Sequence, residues 1–146
     1  MKNTVFVILA VFLASLLIPF TEGAPEKRSL DITSLTITFD KTDAIFTVNY
    51  DLGKLPKLYI LLLGSKSLES KIKSVFSDFG YEITKLDENK AVLNVKNISR
   101  LEKDFYLHDS RKFGTNINLI LINTPDSSLT REYYNLNSTP NIFYRN

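Results

Sequence analysis

The chain of 146 residues contains no cysteine. That excludes disulfides, thiolate zinc sites, iron–sulfur clusters and a cysteine nucleophile. It contains one histidine, His108, so no single chain builds a multi-histidine metal site. Five glycines leave little material for a phosphate-cradling loop, and neither G-x-x-x-x-G-K-[ST] nor G-x-G-x-x-G occurs. No D-x-[DN]-x-[DN]-G calcium loop is present either. The net charge is +2 and no run of like charges exceeds three residues, so the basic footprint of a nucleic-acid binder is missing. No metal and no cofactor is expected. What the chain does have is ordinary globular composition, 44% hydrophobic and 23% charged.

The first segment, MKNTVFVILAVFLASLLIPFTEGAPEKRS, opens with Lys2 and runs apolar from Val5 to Phe20, interrupted only by Ser15 and Pro19. A basic start, an apolar centre and a small-residue site are the parts of a secretory signal. Cleavage after Gly23 puts small residues at the required positions, and cleavage after Ala24 is a poorer alternative. The reading is a signal over residues 1–23 and one small domain over residues 24–146. The alternative is an uncleaved anchor through residues 5–20, although spanning helices use about 20 apolar residues and this run is shorter. Lys27-Arg28 reads as a charged linker rather than a dibasic processing site.

Along the mature chain, Leu35, Ile37 and Phe39 alternate with Thr36 and Thr38, and Phe46, Val48 and Tyr50 alternate with Thr47 and Asn49. Asp40-Lys41-Thr42-Asp43 between them is a turn, so the two runs form a β-hairpin. Residues 56–63 read as a short buried helix. Leu68, Ile72, Val75, Phe76 and Phe79 make one stripe of a clearer amphipathic helix over about 67–79, capped by Ser67 and closed by a left-handed Gly80. A second hairpin follows around Asp87-Glu88-Asn89-Lys90. Residues 97–115 are polar and irregular. Residues 116–123 form a strand that is apolar on both sides and so reads as buried on both faces, and Ile142-Phe143-Tyr144 is a last strand. The predicted class is α+β, with a mainly antiparallel sheet built from hairpins and helix on one face.

His108-Asp109-Ser110 has the spelling of a hydrolytic triad, but three consecutive side chains diverge and do not form the required relay. The expectation is a polar loop whose Asp109 or Ser110 bonds local backbone. Arg111 and Lys112 before Gly114 form a weak anion-binding candidate, two cations beside the amides of a glycine turn. Asn97-Ile98-Ser99 and Asn137-Ser138-Thr139 are glycosylation sequons. With 12 asparagines and 25 serines and threonines in the chain, about two arise by chance, so Asn97 and Asn137 carry no weight by number alone. Tyr133 and Tyr134 lie beside asparagines, a setting for sugar stacking or a partner patch, whereas Phe143 reads as core. No specific catalytic constellation appears. The functional expectation is a non-catalytic extracytoplasmic binding or structural module, partnered by an envelope protein, a surface glycan or a second copy. The alternatives are an extracellular hydrolase with a site assembled from remote residues around His108, and a membrane-tethered envelope module.

Overall fold

The computed structural model describes residues 30–52 and 66–146. Hairpin chemistry sets most of its architecture. Strand β1 (Asp31–Asp40) turns through Lys41 and Thr42 into β2 (Asp43–Asp51). Lys41 takes the left-handed conformation (φ 52°) that this two-residue connection requires. Helix α1 (Lys66–Val75) leads to the hairpin of β3 (Tyr81–Leu86) and β4 (Lys90–Val95). Short strands β5 (Arg100–Glu102) and β6 (Phe105–His108) form the third hairpin. Long β7 (Lys112–Asn123) pairs with β8 (Arg131–Ser138), and β9 (Ile142–Tyr144) returns beside β6.

These strands make a six-stranded sheet in the order β3-β4-β2-β1-β7-β8 and a three-stranded sheet in the order β5-β6-β9. Both are mainly antiparallel, as the hairpin pattern predicts. One pairing departs from it: β1 and β7 run parallel, with Leu35 opposite Ile120 and Ile37 opposite Ile122. The large sheet is therefore mixed. Strands so far apart in sequence cannot be joined by a tight turn, and local turn signals say nothing about their relative direction.

Cross-strand registers put the apolar residues on one face. Leu35, Ile37 and Phe39 of β1 lie opposite Val48, Phe46 and Ala44 of β2, which lie opposite Ala91, Leu93 and Val95 of β4. A register shift between Ile32 and Ser34 lets Ile32 and Leu35 both reach the core although they are three residues apart. Helix α1 covers the Phe46 end of this face with Leu68, Ile72 and Val75, and Phe76 and Phe79 follow, packing edge-on against Phe46 at 5.9 and 5.3 Å. The small sheet covers the other end, where Tyr144 lies 4.9 Å from Phe39. Each such fully buried side chain contributes about 1.5–3 kcal/mol relative to exposure.

Five local expectations need correction. The helix ends at Val75 rather than residue 79. The Phe79 amide bonds the Phe76 carbonyl at 3.0 Å, a tight turn that swings the Phe79 ring inward to stack on Phe113. Gly80 is not left-handed and serves β4 instead, its carbonyl accepting the Lys96 amide at 3.0 Å. Ser67 lies inside the helix rather than before it. Residues 97–115 are not irregular: they hold β5, β6 and the start of β7. The inward positions of β6 are Tyr106 and His108, and β7 opens with buried Phe113, so these strands show no aliphatic alternation. Over residues 116–123, Ile117, Ile120 and Ile122 are fully buried, while Leu119 and Leu121 are only half-buried. The helix expected over residues 56–63 lies outside the described residues.

Candidate functional site

His108 is the last residue of β6, and it is buried rather than part of a polar loop. Its strand position aims it at the core, against the Phe39 ring at 5.3 Å. Nδ1 lies 2.9 Å from the Ile98 carbonyl, and Nε2 lies 2.7 Å from the Thr139 hydroxyl. A carbonyl only accepts, so Nδ1 carries the proton and the Thr139 hydroxyl donates to Nε2. Burial pushes the imidazole pKa down, and Arg111 adds to that. The Ile98 bond and nearby Asp109 oppose the shift.

Thr139 also accepts the Arg111 amide at 2.9 Å, and its own amide donates to the Arg111 carbonyl at 2.9 Å. A hydroxyl against a histidine held by a third group is the arrangement of an activated nucleophile. Here the third group is a neutral carbonyl, and both His108 and Thr139 are buried. A substrate has no access, so the arrangement acts as a structural pin between the two sheets.

A second polar knot lies alongside. Tyr144 is 2.6 Å from the Lys41 carbonyl and 2.8 Å from the Ser99 hydroxyl. A tyrosine has one hydroxyl proton and the carbonyl must receive it, so Ser99 donates to Tyr144. Burial raises the Tyr144 pKa to about 12. The amides of Ile98 and Ser99 both donate to the Thr42 carbonyl, at 2.8 and 3.1 Å. Asp43 takes the Asn97 amide at 3.0 Å and the Lys96 ammonium at 2.8 Å, and these bonds hold its pKa below the usual carboxylate value.

The neighbours of His108 go elsewhere. Asp109 pairs with Arg100, and the Ser110 amide donates to the Asn141 side chain at 2.7 Å. Arg111 reaches the Asn97 carbonyl at 3.3 Å, while Lys112 is exposed on β7. Gly114 is in strand β7, not at a turn. The Ser74 carbonyl occupies the space a Cβ would need, and the Val75 Cα is 3.2 Å from that position. The glycine therefore admits the end of α1 to the sheet. Asn97 and Asn137 are both exposed, and Asn97 is left-handed (φ 51°). Gly23, Ala24 and Lys27-Arg28 lie outside the described residues.

The other face of the large sheet carries none of the described helices or small-sheet strands. Its lining follows from the registers. Lys90, Val92 and Asn94 of β4 lie opposite Asn49, Thr47 and Ile45 of β2. Ser34, Thr36 and Thr38 of β1 come next, then Leu121 and Asn123 of β7. Tyr134 of β8 lies opposite Leu119 and is 62% exposed, with its hydroxyl bonded to Glu132 two residues earlier. Asn49 donates to Ser34 at 3.0 Å across this face. Tyr133 points to the other side and is half-buried. Phe143, expected in the core, is 54% exposed on the outer side of the small sheet, where it packs edge-on against Phe105 at 5.3 Å. In β9 the core positions are Ile142 and Tyr144.

No family model, curated protein or solved structure matches this chain. Among the described residues no group of three His, Cys, Asp or Glu side chains is placed to hold a metal, and no helix is long and apolar enough to cross a membrane. Sequence reasoning missed Thr139, Ser99 and the Ile98 carbonyl as partners of buried polar groups. The only signal they gave was that Ser99 and Thr139 are sequon hydroxyls.

Proposed function

We propose that the protein is an exported, non-catalytic binding module whose ligand is a neutral glycan held on the open face of the large sheet. The observation that carries this reading is Tyr134, an exposed ring on a broad face that also presents Ser34, Thr36, Thr38, Thr47, Asn49, Asn94 and Asn123 among the apolar Ile45, Val92, Leu119 and Leu121. Hydroxyl and amide groups match a polyhydroxylated partner, and an exposed ring supplies a stacking surface with a polar tip. Charge on this face includes Glu82, Lys85 and Lys90 toward the β3 edge and Glu132 on β8, mixed in sign, so the face presents no single-sign field for an ionic ligand. The burial of His108 counts against the hydrolase alternative, which relied on it as a base.

The test is titration of the folded chain with neutral oligosaccharides, glucan, mannan, xylan and chitin fragments, followed by amide chemical shifts. Saturable shifts on β1, β2 and β7 that vanish in Tyr134→Ala support the reading. Their absence for every oligosaccharide, or their survival in Tyr134→Ala combined with Asn49→Ala, overturns it. Intact masses from medium and membrane fractions test the export part. A chain beginning at residue 24 in the medium supports a cleaved signal, and the full-length mass in membranes supports the tethered alternative.

A further inference from the structure

In both sequons the folded structure exposes the asparagine and hides the hydroxyl. Asn97 and Asn137 are exposed, but Ser99 is 7% and Thr139 1% exposed. A transferase reads the asparagine together with the hydroxyl two residues on, and it needs the intervening backbone free. Here the Ser99 proton is committed to Tyr144. The amides of Ile98 and Ser99 are committed to Thr42, and the Ile98 carbonyl to His108. The Thr139 proton is committed to His108, and its amide to Arg111. The Ile98 side chain is also buried.

We infer that Asn97 and Asn137 accept N-linked glycan only while the chain is unfolded, and that Asn97 is the better acceptor. The inequality follows from chain order. Ser99 is closed by Tyr144, which is made 45 residues later. Thr139 is closed by His108 and Arg111, which are made 31 and 28 residues earlier. The Ser99 hydroxyl therefore stays free during synthesis of the segment that will close it, even though Thr42, which takes the Ile98 and Ser99 amides, is already made. The partners of the Thr139 hydroxyl, by contrast, are waiting when it emerges. In cells this rests on the export reading above, but the accessibility argument does not.

The test incubates purified full-length protein with an oligosaccharyltransferase and lipid-linked oligosaccharide, and maps occupancy by peptide mass. Folded wild type is compared with Leu35→Asp, which puts a charge at the centre of the core and holds the chain unfolded; Phe46→Asp is the second choice if circular dichroism finds Leu35→Asp still folded. The expected result is transfer to both asparagines in the unfolded variant, and transfer at least about tenfold slower in folded wild type, since it must await local opening. Equal rates overturn the inference, and so does no transfer to either. Translation of wild type into microsomes is expected to give higher occupancy at Asn97 than at Asn137. The reverse order overturns the chain-order argument. Transfer in the purified system with unmodified protein in a glycosylating host would instead indict the export reading.

Discussion

The backbone of Ser74 fills the place that a side chain on Gly114 would occupy. The end of α1 thus sits directly on strand β7, with the Val75 Cα 3.2 Å from the position of the missing Cβ. Gly114→Ala must push helix and strand apart, and overpacking of this kind costs about 1–3 kcal/mol. Urea unfolding will show the loss. An unchanged midpoint would mean that helix and strand separate without cost.

His108 links the segments around Ile98 and Thr139 from inside the core. His108→Ala leaves both partners unsatisfied beside a cavity, and a loss of about 2–4 kcal/mol is expected. The pH dependence has a definite sign. Burial lowers the folded pKa below the unfolded value of about 6.5, so the unfolded chain binds the extra proton first. Stability therefore falls as pH drops below about 6.5 towards the folded value, by at most about 1.4 kcal/mol per pH unit for this one group. Carboxylates add their own slope at lower pH, so the comparison is with His108→Gln. The variant is expected to lose the wild-type slope between pH 6.5 and pH 5. Parallel curves would remove His108 as its source.

Tyr144 ties the β1–β2 turn to β9. Tyr144→Phe keeps the ring on Phe39 and removes the hydroxyl, at an expected cost of about 1–2 kcal/mol from the Lys41 and Ser99 partners. Burial, with a contribution from nearby carboxylates, raises Tyr144 to about 12, and Tyr50 likewise rises to about 12. An unfolded tyrosine ionises near 10, so stability holds below that pH and declines between about 10 and 12. Tyrosinate absorbance should rise together with loss of the fold. Complete ionisation near pH 10 in the folded chain would contradict the placement of both rings.

Tyr134→Ala removes an exposed ring from the open face and should leave the melting temperature within a degree or two, since surface changes usually stay within about 0.5 kcal/mol. Oligosaccharide binding should disappear in the same variant. Loss of binding accompanied by unfolding would instead assign Tyr134 a packing role.

The hairpins were legible because their signals are local: alternation at Leu35, Ile37 and Phe39, and turn residues at Asp40–Asp43. The helix was legible in its stripe but not its end, since Phe79 keeps the helical spacing although the backbone turns after Phe76, whose amide makes the last helical bond to Ile72. The small sheet was hidden because strands of three or four residues carry too few positions to show a period, and its core side uses Tyr106, His108 and Tyr144. The polar knots were illegible for a different reason. Which carbonyl receives the His108 proton depends on contacts between segments distant in sequence. The open face was partly legible, since Thr36, Thr38, Thr47 and Asn49 alternate with core residues, but nothing local shows that Tyr134 joins them.

The parallel seam between β1 and β7 has a kinetic consequence. Thr38 and Asn123, neighbours across that seam, are 85 residues apart in the chain. The middle of the sheet is thus assembled from pieces made far apart in time, a high contact order that places folding in the millisecond-to-second range typical of sheet-rich domains. Until β7 arrives, the β1–β2 hairpin offers Leu35 and Ile37 along an unpaired edge, a template for wrong partners as much as for the right one.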